Sequence, residues 1–138
     1  WDTHQDNFTR TQKLMGTLDP AISGLLKDLA QRKLLGSTIV ACMGEFGRTP
    51  TINGNDGRDH YPQVWSALVA GGGFHAGKVI GQTDPTGAKI VGTPQSVPNL
   101  MATLTSQLGL NPDKEVTSPI GRPIAISDKG EVIKELAT

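Results

Sequence analysis

The segment Thr38-Ile39-Val40-Ala41-Cys42-Met43 limits the folds open to this chain more than any other. It is uncharged, rich in β-branched residues and without polar alternation, the pattern of a strand covered on both faces. Just before it, Leu18, Ile22, Leu25, Leu26 and Leu29 recur at three- and four-residue spacing, which predicts an amphipathic helix over residues 19–35. Asp19 suits its cap, Pro20 its first turn and Gly36 its left-handed exit. A helix followed by a doubly covered strand points to the α/β class, with a mostly parallel sheet flanked by helices.

Downstream, residues 64–70 form a second apolar run that ends in three glycines and reads as another interior strand. Residues 78–83 and 89–93 flank the turn sequence Asp84-Pro85-Thr86-Gly87 and predict a peripheral hairpin. Leu100, Met101, Leu104 and Leu108 place a second helix over residues 98–108, stopped by Gly109. A short strand at 123–126, a turn at Asp128, Lys129 and Gly130, and a last helical turn to Leu136 complete the expected order. There is no internal repeat and no low-complexity linker. Residues 1–138 therefore read as a single domain or as the C-terminal part of a larger one, since the chain begins at Trp1 inside a dense motif. An incomplete sheet would expose edge strands and make such a piece poorly soluble.

Charge excludes one class of partner. Thirteen Lys plus Arg balance 13 Asp plus Glu, and the bases are scattered among acids, so nothing here resembles a nucleic-acid or anionic-membrane surface. No stretch approaches the ~18 apolar residues of a membrane span. At 138 residues the chain can bury a core, yet 17 Gly and 9 Pro leave a large share to loops, where binding groups usually sit. Cys42 has no partner for a disulfide and reads as a buried, inert thiol.

Three clusters carry chemistry: Trp1-Asp2-Thr3-His4, Gly44-Glu45-Phe46-Gly47-Arg48 and Gly57-Arg58-Asp59-His60. In an extended segment residues two apart share a face, so Asp2 and His4 can aim at one cation. Glu45 follows the carboxyl end of the predicted strand, where open α/β sheets place their ligands. Asp59 or His60 can join from a loop. Carboxylates mixed with imidazoles favour a divalent ion such as zinc or manganese, with calcium or magnesium less suited. If the clusters converge, two carboxylates ~4 Å apart repel by about 4 kcal/mol at an effective dielectric of 20. A metal ion can neutralise them; so can Arg48 and Arg58, in which case the site is simply salt-bridged.

Other candidates are weaker. Gly72, Gly77 and Lys78 match a phosphate-binding loop, but Val79 stands where Ser or Thr must hold magnesium. His75 reads as a solvated loop residue, Arg122 as a tie to nearby carbonyls, and Trp1 and Trp65 as packing groups. No Ser or Thr sits in a Gly-x-Ser-x-Gly elbow, so no nucleophile is recognisable.

The three clusters in this order, with "ALVAGGG" at 67–73, "GKVIGQTD" at 77–84, "VPNLMATL" at 97–104 and "GRPI" at 121–124, resemble the C-terminal part of the bacterial domain-of-unknown-function 1501 family. That family is similar to sulfatases and alkaline phosphatases, and the resemblance implies the C-terminal portion of their three-layer α/β sandwich. It implies one metal position on Asp2, His4 and His60, with Asp59 as a helper. Glu45 then replaces the aspartate of the usual Asp-His-Gly strand end, and Phe46 takes the histidine's place, which removes a ligand of a second metal. The nucleophile is expected upstream, and many members carry an export signal, implying a periplasmic or extracellular location.

The resulting expectation is a metal-dependent hydrolase of phosphate or sulfate esters, with Arg48 and Arg58 binding the small anionic substrate and Asp2, His4, Glu45, Asp59 and His60 as candidate metal ligands. The alternative is a non-catalytic, metal-stabilised binding module or a degenerate relic of the hydrolase fold.

Overall fold

The computed structural model describes residues 1–137; Thr138, the last residue of the expected unit, lies outside them. In chain order the elements are α1 (Asn7–Gln31), a 3-10 turn (Leu35–Ser37), β1 (Ile39–Met43), β2 (Gly47–Arg48), β3 (His60–Tyr61), β4 (Ala67–Gly71), β5 (Gln82–Thr83), β6 (Ile90–Val91), α2 (Val97–Gln107), β7 (Glu115–Thr117) and β8 (Pro123–Ala125).

The expected parallel sheet is overturned. The strands form four separate two-stranded antiparallel ribbons, β1 with β4, β2 with β3, β5 with β6 and β7 with β8, so the chain is not an α/β sandwich of the alkaline-phosphatase kind. The apolar run 39–43 does form a strand, but Ile39 lies opposite Gly71 and Met43 opposite Ala67. A parallel return needs a long crossover, usually helical. The connection from 44 to 66 contains no helix and folds back through β2 and β3, so the strand that follows arrives antiparallel. Nor is β1 covered on both faces: Met43 and its neighbour Leu68 are 44% and 47% exposed. The lack of polar alternation reflected apolar composition, not double burial.

Helix α1 begins well before the expected start, and both Asp19 and Pro20 lie inside it. Its beginning comes from tertiary contacts. The amides of Asp6 and Asn7 donate to the carbonyls of Asn55 (3.1 Å) and Asp56 (2.8 Å), satisfying donors that a helix end otherwise leaves open. With a turn so anchored, the local stop-and-start signal at Asp19-Pro20 is overridden. At the far end Lys33, not Gly36, takes the left-handed conformation (φ 59°). Lys33 N donates to Ala30 O and Leu34 N to Leu29 O, the paired bonds that close a helix in a Schellman turn.

Helix α2 agrees with its sequence signals. Ser96 Oγ accepts from Asn99 N (3.1 Å) at the N-cap, Pro98 occupies the first turn, and Gly109 ends the helix at φ 74°. Its Ala102 and Thr103 are fully buried. Thr103 Oγ1 donates to Asn99 O and accepts from Ile133 N (2.9 Å), while Asn99 Oδ1 accepts from Glu131 N, so the C-terminal segment is laced to α2. That segment ends, as expected, in a single turn, closed by Leu136 N (3.0 Å) and Ala137 N (3.3 Å) on Ile133 O. The hairpin around Asp84 is present, shortened to a two-residue ladder, and β8 has an unforeseen partner in β7.

The accessible surface is 9699 Å², against about 6,900 Å² for a compact chain of this mass. Only Ala102 and Ile133 form a buried apolar core among the described residues, whereas Phe8, Val79 and Ile120 stand 63%, 91% and 88% exposed. The α1 stripe, through Leu18, Ile22 and Leu26, borders a shallow groove that also touches Cys42 and Leu68. Cys42 is half-buried rather than enclosed. Because the Ser96 cap fixes the one helix at the centre of the buried core, Ser96→Ala should cost about 1 kcal/mol of stability, read as a shift in a urea unfolding curve.

Candidate functional site

The first residues of the chain are laid along the loop 53–58 by backbone hydrogen bonds. Arg58 N donates to Thr3 O (3.0 Å), and Asn53 Nδ2 donates to His4 O (3.0 Å), next to the bonds that start α1. Asn53 Oδ1 also accepts from the amides of Asn55 and Gly57, holding the loop in a tight turn. Gly57 faces the arm so closely that a Cβ there would fall on the His4 carbonyl. Under the arm, Thr3 and Asn7 are buried, and Thr3 Oγ1 donates to Asn7 Oδ1 (2.6 Å).

A second device aligns the remaining groups. In the β2–β3 ribbon Arg48 lies directly opposite His60, so both side chains project from one face. Arg48 Nη2 donates to Asp2 Oδ1 (2.7 Å) and to Trp1 O, and its Nη1 donates to Arg58 O. The Phe46 ring packs on His60 with centroids 4.2 Å apart, and the Arg48 guanidinium lies 5.9 Å from the Phe46 centroid.

These two devices bring Asp2, His4 and His60 together. Asp2 Oδ1 and His4 Nε2 are 3.1 Å apart, His4 Nε2 and His60 Nε2 3.2 Å, and His60 Nε2 and Asp2 Oδ1 3.2 Å, a nearly equilateral triangle of donor atoms. Hydrogen bonds alone satisfy it poorly. Each Nε2 carries at most one proton, so at least one of the three edges has no hydrogen bond and sets lone pair against lone pair or N–H against N–H. A cation satisfies all three edges at once. Ligands about 2.0–2.1 Å from a tetrahedral zinc ion lie roughly 3.3 Å apart, close to the spacing here.

The other expected ligands fall outside the triangle. Asp59 Oδ1 meets His4 at Nδ1 (2.7 Å), on the opposite side of the ring from Nε2. Glu45 is exposed on the wall of an open cleft of about 660 Å³ that is also lined by Trp1, Asp2, Phe46, Arg48, Arg58 and His60. Arg58 lines that cleft while donating to the carbonyls of Thr49 and Pro50. Trp1 is 59% exposed at the rim, not a packing group, and Trp65 is 38% exposed. His75 is an exposed loop residue whose Nδ1 is 3.3 Å from Glu135 O. Arg122 engages Ser118 through its main chain, and among the described residues its guanidinium makes no hydrogen bond.

Sequence reasoning missed Asn53 and Thr49. Thr49 clamps Asp59 by giving its N–H to Asp59 O and accepting from Asp59 N at Oγ1. The Asn53-Gly54-Asn55-Asp56-Gly57 stretch carries a strong turn signal, but nothing local shows that the turn grips the start of the chain.

Electrostatics sharpens the picture. The hydrogen bond from Arg48, followed by that from His60, holds the Asp2 carboxyl down at about 2. The hydrogen bonds from His4 and then Asn53 lower Asp59. Both carboxylates are thus ionised through the neutral range, each with its own cationic or N–H partner.

A family model described as protein of unknown function (DUF1501) matches residues 1–137. No curated protein and no solved structure matches the chain.

Two outcomes test the assembly. Replacing Gly57 by Ala forces the arm off the loop, and the cost should be about 1–3 kcal/mol, as for other overpacked contacts, with loss of the His4–His60 proximity in nuclear Overhauser spectra. In Arg48→Met, the side-chain carbon titration of Asp2 should rise from about 2 toward the ordinary value of about 4. Since the folded value lies below the unfolded one, the contribution of Asp2 to docking of the arm is complete above pH about 4 and lost as pH falls through about 2.

Proposed function

The chain belongs to the DUF1501 family, proteins of unknown function, and we propose that within it this segment holds one divalent metal ion on Asp2, His4 and His60 and serves the hydrolysis of phosphate or sulfate esters. The donor triangle is the observation that carries the reading. Two imidazoles and one carboxylate suit zinc or manganese better than calcium or magnesium, which prefer all-oxygen shells. The three side chains are 44–68% exposed, so the remaining coordination direction is open, as in catalytic rather than structural zinc sites.

When bound, such an ion polarises an ester oxygen and lowers the pKa of water. The chain's own groups do the rest. Arg48 keeps Asp2 ionised and its Oδ1 in place. Arg48 and Arg58 bring positive charge to the cleft, where a phosphate or sulfate group would lie. Glu45 adds a carboxylate on the same wall and can accept a proton. Thr3 and Thr11 also line the cleft, their hydroxyls donating to Asn7 Oδ1, and the nucleophile is expected from the part of the family's motif upstream of Trp1. The ester class rests on the two arginines and on the similarity to sulfatases and alkaline phosphatases that the family resemblance implies, and the proposed periplasmic or extracellular location rests on the export signal that many family members carry.

The test is metal content by elemental mass spectrometry on protein purified without chelator, together with a panel of phosphate and sulfate esters. Near-stoichiometric metal in wild type and in Glu45→Ala, lost in His4→Ala and His60→Ala, is expected, with ester hydrolysis abolished by chelation. Zinc at a hundredfold excess over its dissociation constant should add about 2.7 kcal/mol of stability. Bound metal without hydrolysis of any ester would replace the enzyme reading with a metal-stabilised binding module. No retained metal would leave a salt-bridged cluster.

A further inference from the structure

The two histidines of the triangle are not held alike. Among the described residues His60 Nδ1 makes no hydrogen bond, and the ring is oriented by its contact with Phe46. His4 is gripped from behind: its Nδ1 lies 2.7 Å from Asp59 Oδ1. An ionised carboxylate only accepts hydrogen bonds, so the proton on this contact belongs to Nδ1. A neutral imidazole with its proton on Nδ1 has a bare lone pair on Nε2. Nε2 is the atom that stands 3.1 Å from Asp2 Oδ1 and 3.2 Å from His60 Nε2.

Asp59 is itself fixed on three sides. Asn53 Nδ2 donates to the same Oδ1 (3.1 Å) and to the His4 carbonyl (3.0 Å), strapping carboxylate and histidine backbone to one amide. Thr49 holds the Asp59 main chain through both its amide and its hydroxyl. Asp59 therefore neither reaches the triangle nor moves freely toward it.

We infer that Asp59 is a positioning residue, not a ligand: with Asn53 behind it, it holds His4 in the Nδ1–H tautomer and so presents the Nε2 lone pair to the donor triangle. The inference rests on the metal reading for its purpose, but the tautomer can be read without metal. A carboxylate behind a ligating imidazole fixes ring orientation and raises ligand basicity, and its loss typically weakens metal affinity 10–100-fold.

The experiment uses the chain with imidazole 15N labelling, at about pH 8, where ordinary histidines are neutral. Long-range 1H–15N spectra of the metal-free protein give the tautomer of His4, and zinc alone, titrated against a chromophoric chelator, gives affinity. Wild type should show protonated Nδ1 on His4. Asp59→Ala should give mixed tautomers and a 10–100-fold loss of zinc affinity. Asp59→Asn keeps an oxygen that the Asn53 amide can hold in the same place, and should restore both the tautomer and most of the affinity; this rescue separates positioning from mere support of the loop. A wild-type His4 protonated on Nε2, or an Asp59→Ala variant with unchanged tautomer, overturns the inference. Wild-type protein with the Nδ1–H tautomer, lost in Asp59→Ala, but with no affinity for zinc, supports the orienting role and overturns the metal reading.

Discussion

The molecule is organised by the grip of the loop 53–58 on residues 3–7. Four hydrogen bonds, from Asn53 Nδ2 and Arg58 N to the arm and from the amides of Asp6 and Asn7 to the loop, join segments some 50 positions apart in the chain. The same contacts set the first residue of α1 and the placement of Asp2 and His4. The requirement falls on Gly57, where a side chain would collide with the arm's backbone at His4 and Gln5. If the grip is lost, His60 and Arg48 remain on their ribbon, but Asp2 and His4 go elsewhere, and the cleft loses a wall.

The charge problem posed by two nearby carboxylates has a divided solution. Arginine and metal were rival ways to neutralise the pair; the fold uses different partners for the two acids. Asp2 is tied to Arg48, whereas Asp59 is tied to His4 and Asn53. Arg48 meets the triangle only at Asp2 Oδ1, through Nη2, while Nη2 and Nη1 also donate to the carbonyls of Trp1 and Arg58. A half-neutralised site therefore remains, with Asp2 and His60 on the wall of the cleft. Phe46 fits this arrangement in its own way: its ring packs against His60 and gives that imidazole an aromatic wall.

How far the sequence could be read depends on whether a signal is local. Ser96, Pro98 and Gly109 act within one turn of α2, and that helix falls where they place it. Asp84 and Gly87 likewise mark a hairpin that forms. The start of α1 is different, since its capping partners are the carbonyls of Asn55 and Asp56, invisible to a pattern search around Asp19. Strand direction failed for a related reason: Ile39–Met43 has the composition of a covered strand, but direction is set by how 44–66 returns, and that path is built on the short β2–β3 ribbon. At the site, the spacing of Asp2 and His4 and the Asp59-His60 pair were legible as chemistry. Which of them point inward was not, because that depends on Arg48 crossing from a neighbouring strand and on Asn53, whose only local message is a turn.

The separation between His4 and Asp59, 55 positions, also has a kinetic meaning. Closing a flexible loop of that size costs about 3.5 kcal/mol in chain entropy, from (3/2)RT ln n. Within that span α1 alone accounts for 25 residues, and its contacts are local and form on the microsecond scale. The grip on the arm needs the turn at Asn53, whose side-chain amide and carbonyl make two of the contacts near it. The site therefore exists only where both ends of the span have met, and its integrity reports a long-range contact that helices and hairpins formed locally cannot make by themselves.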